Sequence, residues 1–394
     1  MRVLSVSKLF AVAAMVVVLV ISMAAMPAQA GRRKPPKTPD RYTPATGVQF
    51  NTPIGNEAEQ RVLFTHIIRA INSSPRGSTI RFAVYSFADP AISRALLAAH
   101  RRGVRVKLVF SSSNIYPPMR RVMSVLGTNP NRRSFAMTCK GSCRGVGGDM
   151  HAKYFSFSQA GSARWITMVG SNNLTKYNAQ RQWNDLYTRS DDYRLFLTFR
   201  EWFTQLKADV PVLNPYISVA AGSSAVNLTP VGSSILNDPI AQALASVTCE
   251  DAGLPDSGEP NGGTGSVQTK VMIATHAWND LRGRNLARDV ASLAQEGCDV
   301  TAILGVGVGP TVTKTLESAG VRIVKSKYPG VDTHQKLLIV RGEVDGATNA
   351  TRVWTGSSNW SDAAMKRDDI ILKITDEAIG QQYIEGFERM IAVG

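Results

Sequence analysis

Apolar positions along the chain follow two periods. In some windows they return every second residue, which is the strand period. In others they return every third or fourth, which is the helix period. Over 57–72, Val62, Phe64, Ile67, Ile68 and Ile71 trace one helical face, and Ser73-Ser74-Pro75-Arg76-Gly77 ends it. Residues 80–87 alternate and predict a strand. Asp89 as N-cap and Pro90 at the first position open a helix that runs to Arg102 and stops at Gly103. Residues 104–110 predict a second strand. The unit is β-α-β, with the parallel strands and right-handed crossover such units take. A further helix is predicted over 117–126, inside a long stretch, 111–148, that ends as a loop rich in Gly, Arg and Cys. Trp202 and Leu206 fall in a helix that closes this part of the chain.

The same order then returns. Residues 239–247 are helical in pattern, and 253–265, rich in Gly, Pro, Asp, Ser and Asn, predict a surface loop. A strand at 270–275, a helix at 285–295 ending at Gly297, and a strand at 300–304 follow. A short helix at 311–318 stopped by Gly320, a strand at 321–324 and a last helix at 376–391 complete it. The pattern is an internal duplication. Pro215 and the Ala-Ala-Gly-Ser-Ser run interrupt it, so the joint is expected near 214–223.

Each repeat carries one copy of a polar motif. The first reads Met150-His151-Ala152-Lys153, then an apolar run, then Gly170-Ser171-Asn172-Asn173. The second reads Thr333-His334-Gln335-Lys336, then Gly356-Ser357-Ser358-Asn359. Side chains two apart in an extended chain share a face. Each copy therefore brings an imidazole, an ammonium, a hydroxyl and an amide toward one spot. Two copies suit a phosphodiester: cations meet its charge, and two histidines serve as nucleophile and acid/base.

Composition adds a location. The 394 residues are 44% hydrophobic, enough for two halves of roughly 180 residues each. Arg2 and Lys8 precede an apolar run from Leu9 to Ala25, and Pro27-Ala28-Gln29-Ala30 supplies a small-x-small cleavage pattern. Residues 1–30 are thus expected to be a secretory signal peptide, with 31–44 a basic, Pro-rich leader. No other segment reads as membrane-spanning, so a secreted, extracellular, soluble body is expected. The net charge of +15 favours anionic partners, including peripheral contact with anionic surfaces. Four cysteines in an exported chain imply disulfides, and proximity pairs Cys139 with Cys143 and Cys249 with Cys298. A zinc site at Cys139 and Cys143 is the weaker alternative.

The doubled motif resembles the phospholipase D superfamily, whose signature is His-x-Lys-x4-Asp followed by Gly-Ser-x-Asn. The resemblance covers essentially the whole exported chain. The signature aspartate is replaced by Ser158 in the first copy and Arg341 in the second. The resemblance implies catalysis by His151, Lys153, Asn173, His334, Lys336 and Asn359, with Ser171 and Ser357 hydrogen-bonding the substrate. It also implies a downstream carboxylate on each histidine, matched to Asp185 and Asp369, with Asp368 as an alternative to Asp369. By similarity His151 is the nucleophile that becomes a phosphohistidine, and His334 the acid/base. No metal or cofactor is expected, because two lysines supply the positive charge.

The predicted architecture is α/β: two duplicated α-β-α sandwich halves, 45–215 and 216–394, with mixed, mostly parallel sheets. They are expected to pack about a pseudo-twofold axis, with the motifs meeting at their interface, in a chain that acts as a monomer. The expected function is a metal-independent phospholipase D, hydrolysing phospholipid to phosphatidate and head group. An endonuclease of the same superfamily is the alternative, and an inert anion-binding protein ranks third. Among other residues, His66 and His100 read as surface or partly packed; His276 follows a strand where a β-α loop can line the cleft, with a solvated loop residue the favoured reading. Trp183, Trp354 and Trp360 read as core.

Overall fold

The structure, a computed structural model, describes residues 41–231, 238–249 and 268–393. The expected signal peptide, the leader as far as residue 40 and the 253–265 loop lie outside the described residues. The first half opens with β1 (Gly47–Phe50), α1 (Glu57–Gln60) and α2 (Val62–Asn72). Asn56 caps α1, accepting from the Ala58 and Glu59 amides while Glu59 reaches back to the Asn56 amide. Then come β2 (Thr79–Val84), α3 (Pro90–Arg101), β3 (Arg105–Ser111), α4 (Pro117–Leu126) and β4 (Phe135–Cys139). Asp89 caps α3 through the Ile92 amide at 2.8 Å, as the sequence predicts. The half closes with β5 (Lys153–Ala160), β6 (Ala163–Gly170), α5 (Lys176–Arg181), β7 (Gln182–Trp183), β8 (Asp185–Arg189) and α6 (Tyr193–Leu206).

The expected joint near 214–223 contains structure of its own. β9 (Ile217–Ala221) and β10 (Ser224–Leu228) form an antiparallel hairpin, and β10 pairs with β18 of the second sheet. α7 (Pro239–Ala245), β11 (Val247–Thr248), β12 (Lys270–Trp278), α8 (Asp280–Gln295), β13 (Asp299–Val308), α9 (Pro310–Ser318) and β14 (Arg322–Val324) follow. The last elements are β15 (Asp332–Thr333), β16 (Lys336–Val344), β17 (Ala347–Gly356), β18 (Ile370–Ile374) and α10 (Glu377–Val393).

Both sheets are mixed and share one strand order. The first runs β1-β8-β6-β5-β2-β3-β4, and the second β9-β10-β18-β17-β16-β12-β13-β14. Pairing is parallel among β2, β3 and β4 and among β12, β13 and β14. It is antiparallel across the rest of each path. β1 and β10 therefore hold equivalent places, which extends the repeat further back than the hydrophobic pattern reaches.

Strand alternation decides which faces meet. Phe155 and Phe157 of β5 pack with α2 and α3 in one core, while Tyr154 points the other way. Leu338 and Val340 of β16 pack with α8, while Leu337 and Ile339 point the other way. Tyr154, Leu337 and Ile339 belong to one central core that both sheets share with α6 and α10. The halves are thus joined by apolar burial, the main favourable term in folding. Two backbone stitches cross the same seam. Met150 bridges Asp368, and β15 pairs in parallel with β7, Thr333 opposite Trp183. Among the described residues no helix is long and apolar enough to cross a membrane.

Candidate active site

Both stitches end one residue before a motif histidine. The His151 amide donates to the Asp368 carbonyl at 3.0 Å, and the His334 amide to the Trp183 carbonyl at 2.9 Å. Each motif is therefore anchored on the opposite half. Lys153 and Lys336 start β5 and β16 and are buried, and each ammonium donates to the carbonyl of its own motif histidine. The Lys153 ammonium also lies 3.1 Å from His151 Nε2.

The carboxylates are not symmetric. His151 Nδ1 donates to Asp369 Oδ1 at 2.9 Å. His334 Nδ1 donates instead to the Ser171 carbonyl at 2.9 Å. This corrects the expectation for Asp185, and the sheet register gives the reason. Gly170 pairs with Leu186, and the equivalent Gly356 pairs with Ile371. Asp185 therefore matches Ile370, and the residue matching Asp369 is Asn184. The neighbouring contacts agree: Asn51 bonds the Asn184 amide as Thr229 bonds the Asp369 amide. A one-residue step in a strand reverses the face. Asp185 is consequently buried away from the imidazoles, accepting from the hydroxyls of Ser171, Thr355 and Tyr383. Asp368 faces away from His151, accepting from the Ser142 hydroxyl and the Cys143 amide.

The glycine-serine turns hold these carboxylates. Ser357 donates to Asp369, and Ser171 to Asp185; both serines are fully buried. The two hydroxyls expected to meet substrate are thus committed to positioning acids. At Gly170 and Gly356 a Cβ would strike the carbonyls of Asp185 and Ile370, so the close approach requires glycine. Asn173 and Asn359 differ from the serines: the Oδ1 of each is buried without a hydrogen-bond partner.

Burial governs the electrostatics. It depresses the His151 imidazole to about 4, against the upward pull of Asp369. It holds His334 well below the usual imidazole value, with Lys336 adding to the effect. It depresses Lys336 to about 7 and holds Lys153 well below the ordinary ammonium value. Burial alone would raise Asp369, but His151 and Lys153 outweigh it and keep this carboxyl well below its usual range. At Asp185 and Asp368 burial is the stronger influence and raises both, Asp368 to about 6 despite hydrogen bonds from Ser142 and Cys143 and the nearby Arg144 charge. The resting His151 is thus a neutral ring with its proton on Nδ1 and a lone pair on Nε2. Each motif histidine is held by a residue of the other half, His151 by Asp369 and His334 by Ser171, which brings the two motifs to one seam.

The family model described as "Cardiolipin synthase, PLD-like domain" matches residues 67–207 and 265–391. The chain belongs to the phospholipase D superfamily. Members of that superfamily act on phosphodiesters. No curated protein sequence matches the chain. Among solved structures, phosphatidylserine synthase of Haemophilus influenzae Rd KW20 is 14% identical, with 87% of this chain and 85% of that chain covered and a TM-score of 0.58. Polyphosphate kinase from Porphyromonas gingivalis is also 14% identical, with 86% and 49% covered and a TM-score of 0.55. The chain thus spans about half the length of that kinase. Nuc from Salmonella typhimurium, a phospholipase D family member, is 24% identical, with 42% and 96% covered and a TM-score of 0.31. The first two likenesses show a shared fold.

Within this superfamily site, two residues escaped the sequence reading. Tyr85 packs against His151 with ring centroids 4.8 Å apart and the planes tilted by 59°. His276 lies in β12 rather than in a solvated loop, and its ring is 4.6 Å from that of His334. The signal was available in the alignment of repeats, since each residue directly follows the one that pairs with a motif lysine, Val84 with Lys153 and Thr275 with Lys336. A cleft of about 580 Å³ is lined by Asn173, His276 and His334 together with Tyr116, Tyr177 and Val306.

Other expectations sort by burial. Cys139–Cys143 and Cys249–Cys298 are disulfides, which removes the zinc alternative. His66 is buried rather than superficial, bonded to the hydroxyls of Tyr42 and Thr188 and depressed to about 4 by burial. His100 is partly buried against Ser134. Trp183, Trp354 and Trp360 are core residues. Ser158, in place of the signature aspartate, still accepts from the Thr79 amide at 2.8 Å, whereas Arg341 is exposed.

Proposed function

We propose that the chain is a secreted phosphodiesterase of the phospholipase D type, hydrolysing phospholipid to phosphatidate and a free head group. One observation carries this reading. Two imidazoles, each with its own buried lysine, are held from opposite halves, and one of them, His334, lines a cleft with an apolar rim. Val306 and Tyr177 of the cleft wall are exposed, as is Ile115 next to Tyr116. An exposed apolar patch of this kind suits a lipid interface. The family model's own description, a cardiolipin synthase, supports a lipid as well. Export is part of the proposal and is supported by the signal-like residues 1–30 and the two disulfides.

The bound phosphodiester anion favours the charged form of His334, which takes up a proton as the complex forms. In the first step the His151 Nε2 lone pair attacks phosphorus, the bond from phosphorus to the head-group oxygen breaks, and His334 gives its proton to that oxygen. In the second step His334 takes a proton from water, the water oxygen attacks phosphorus, and the phosphorus–nitrogen bond returns its electrons to His151. Lys153, Lys336, Asn173 and Asn359 meet the non-bridging oxygens as charge builds. Asp369 keeps the His151 proton on Nδ1 and steadies the ring as positive charge develops. Both motifs come from one chain, so a monomer suffices.

The second reading, an endonuclease, is favoured by the net charge of +15. Purified protein offered choline phospholipid, cardiolipin and plasmid DNA separates the two. Head-group release that vanishes in His151→Ala and His334→Ala is the expected result. DNA nicking without lipid turnover moves the assignment to the nuclease. Binding without turnover of either leaves an inert anion-binding protein.

A further inference from the structure

His276 belongs to neither motif, yet it is built into the site. It follows Thr275, which pairs with Lys336, and its amide donates to the Gln335 carbonyl at 2.9 Å. Tyr85 holds the matching place: Val84 pairs with Lys153, and the Tyr85 amide donates to the Ala152 carbonyl at 3.0 Å. The duplication therefore lays a ring on each motif histidine, a phenol on His151 and an imidazole on His334. Any aromatic ring would supply cover. The imidazole brings two nitrogens as well, and the surroundings assign them.

Nδ1 lies 3.2 Å from the Thr333 carbonyl, so it carries the hydrogen. Asp332 Oδ2, 3.9 Å away, places a carboxylate on the same side and favours that tautomer. The lone pair is then on Nε2, which has no hydrogen-bond partner among the described residues. The ring is half-buried in the cleft wall beside His334. Among the described residues lining that cleft, none is Asp, Glu, Lys or Arg; Asn173, Asn178, Gln182 and Thr175 supply the polar groups.

We propose that His276 determines specificity for the alcohol half of the diester, its Nε2 accepting a hydrogen bond from a second hydroxyl of that alcohol. The assignment rests on the reading of His334 as the acid that protonates the leaving oxygen. If the proton is delivered from His334, the remainder of the leaving alcohol lies against the wall next to His334, and His276 is part of that wall. A lone pair there favours a glycerol-like or sugar-like alcohol over one with no further hydroxyl, which would leave the nitrogen unpaired. The uncharged lining points the same way, because hydroxyls are met there by polar, uncharged side chains.

The test compares phosphatidylglycerol with phosphatidylethanol, which share the attacked phosphorus and differ in the hydroxyls of the leaving alcohol. The wild-type chain is expected to prefer phosphatidylglycerol by about tenfold in kcat/KM, the worth of one buried hydrogen bond. In His276→Phe, which keeps a ring over His334, that ratio falls to near one, whatever the absolute rate. In His276→Gln, whose amide oxygen can accept, part of the ratio returns. A wild-type ratio near one overturns the assignment, as does a ratio that His276→Phe leaves intact. Wild-type protein that turns over neither lipid overturns the lipase reading, and this assignment with it.

Discussion

His151 Nδ1 lies 2.9 Å from Asp369 Oδ1, and the two residues come from opposite halves of the duplicated chain. The nucleophile proposed for the reaction is therefore completed only when both halves fold together. Asp369 does two things there: it fixes which ring nitrogen keeps the proton, and it offsets the positive charge that forms as Nε2 bonds to phosphorus. Asp369→Asn removes the charge and permits the wrong tautomer. The expected loss in kcat is on the order of a hundredfold or more. The phosphohistidine intermediate, read by acid quench, should accumulate more slowly in proportion. A variant that forms it at the wild-type rate would show that Asp369 serves the fold alone.

Asn184 occupies the equivalent place in the other half, and its amide is already committed. Nδ2 donates to the carbonyls of Asn178 at 3.1 Å and Gln182 at 2.8 Å. A carboxylate at this position would face two carbonyl oxygens with no hydrogen to offer. Asn184→Asp is accordingly expected to lower stability by about 2–3 kcal/mol and to leave His334 without an acid partner. Denaturant unfolding measures the first part. An unchanged midpoint, together with a raised His334 titration, would overturn the argument.

This asymmetry also marks where the sequence stops being legible. The β-α-β units, the helix caps at Asp89 and Pro90, and the two His-x-Lys strands follow from local periodicity, because each depends on neighbours in the chain. The match of Asp185 to Asp369 was off by one. Trp183-Asn184-Asp185-Leu186 and Asp368-Asp369-Ile370-Ile371 can be aligned on either aspartate, and only the pairing of Gly170 with Leu186 and of Gly356 with Ile371 decides. Strand β1 was missed because its four residues show no periodicity that outweighs a loop. Its role comes from pairing with β8, far along the chain. His276 was misjudged because a histidine after a short apolar run reads as a loop residue; β12 continues to Trp278, and its pairing with β16 sets the ring beside His334.

The depressed pKa values set a pH profile. His151 must be neutral to attack, and burial depresses it to about 4, so kcat/KM should rise with pH through that region. His334 must be protonated to act as the acid, and burial holds it well below the usual imidazole value, so kcat/KM should begin to fall below neutrality; loss of the Lys336 ammonium, depressed to about 7, steepens the fall. A bound phosphodiester anion favours both charged forms and raises both values. The alkaline limb of kcat should therefore lie at higher pH than that of kcat/KM. Coincident limbs would show that neither charge responds to substrate.

The two disulfides close loops of very different length, and this separates stability from activity. Cys139 and Cys143 are 4 residues apart, whereas Cys249 and Cys298 are 49 apart. Loop-closure entropy then assigns about 2 kcal/mol to the first and about 4 kcal/mol to the second. Activity should rank them the other way. The Cys143 amide and the Ser142 hydroxyl hold Asp368, whose carbonyl anchors the His151 amide and whose neighbour Asp369 holds the His151 ring. Cys249–Cys298 lies in the outer core of the second half, with Cys249 against the Leu293 carbonyl, and that core cluster contains none of the motif residues. Replacing the short pair by alanine should thus cost more kcat than stability, with at least a tenfold rate loss from a ~1 Å displacement of the nucleophile. Replacing the long pair should lower the unfolding midpoint further and leave kcat within about threefold. Measuring both quantities on both double variants decides the matter: if kcat and stability fall in the same order, the short bridge has no special hold on His151.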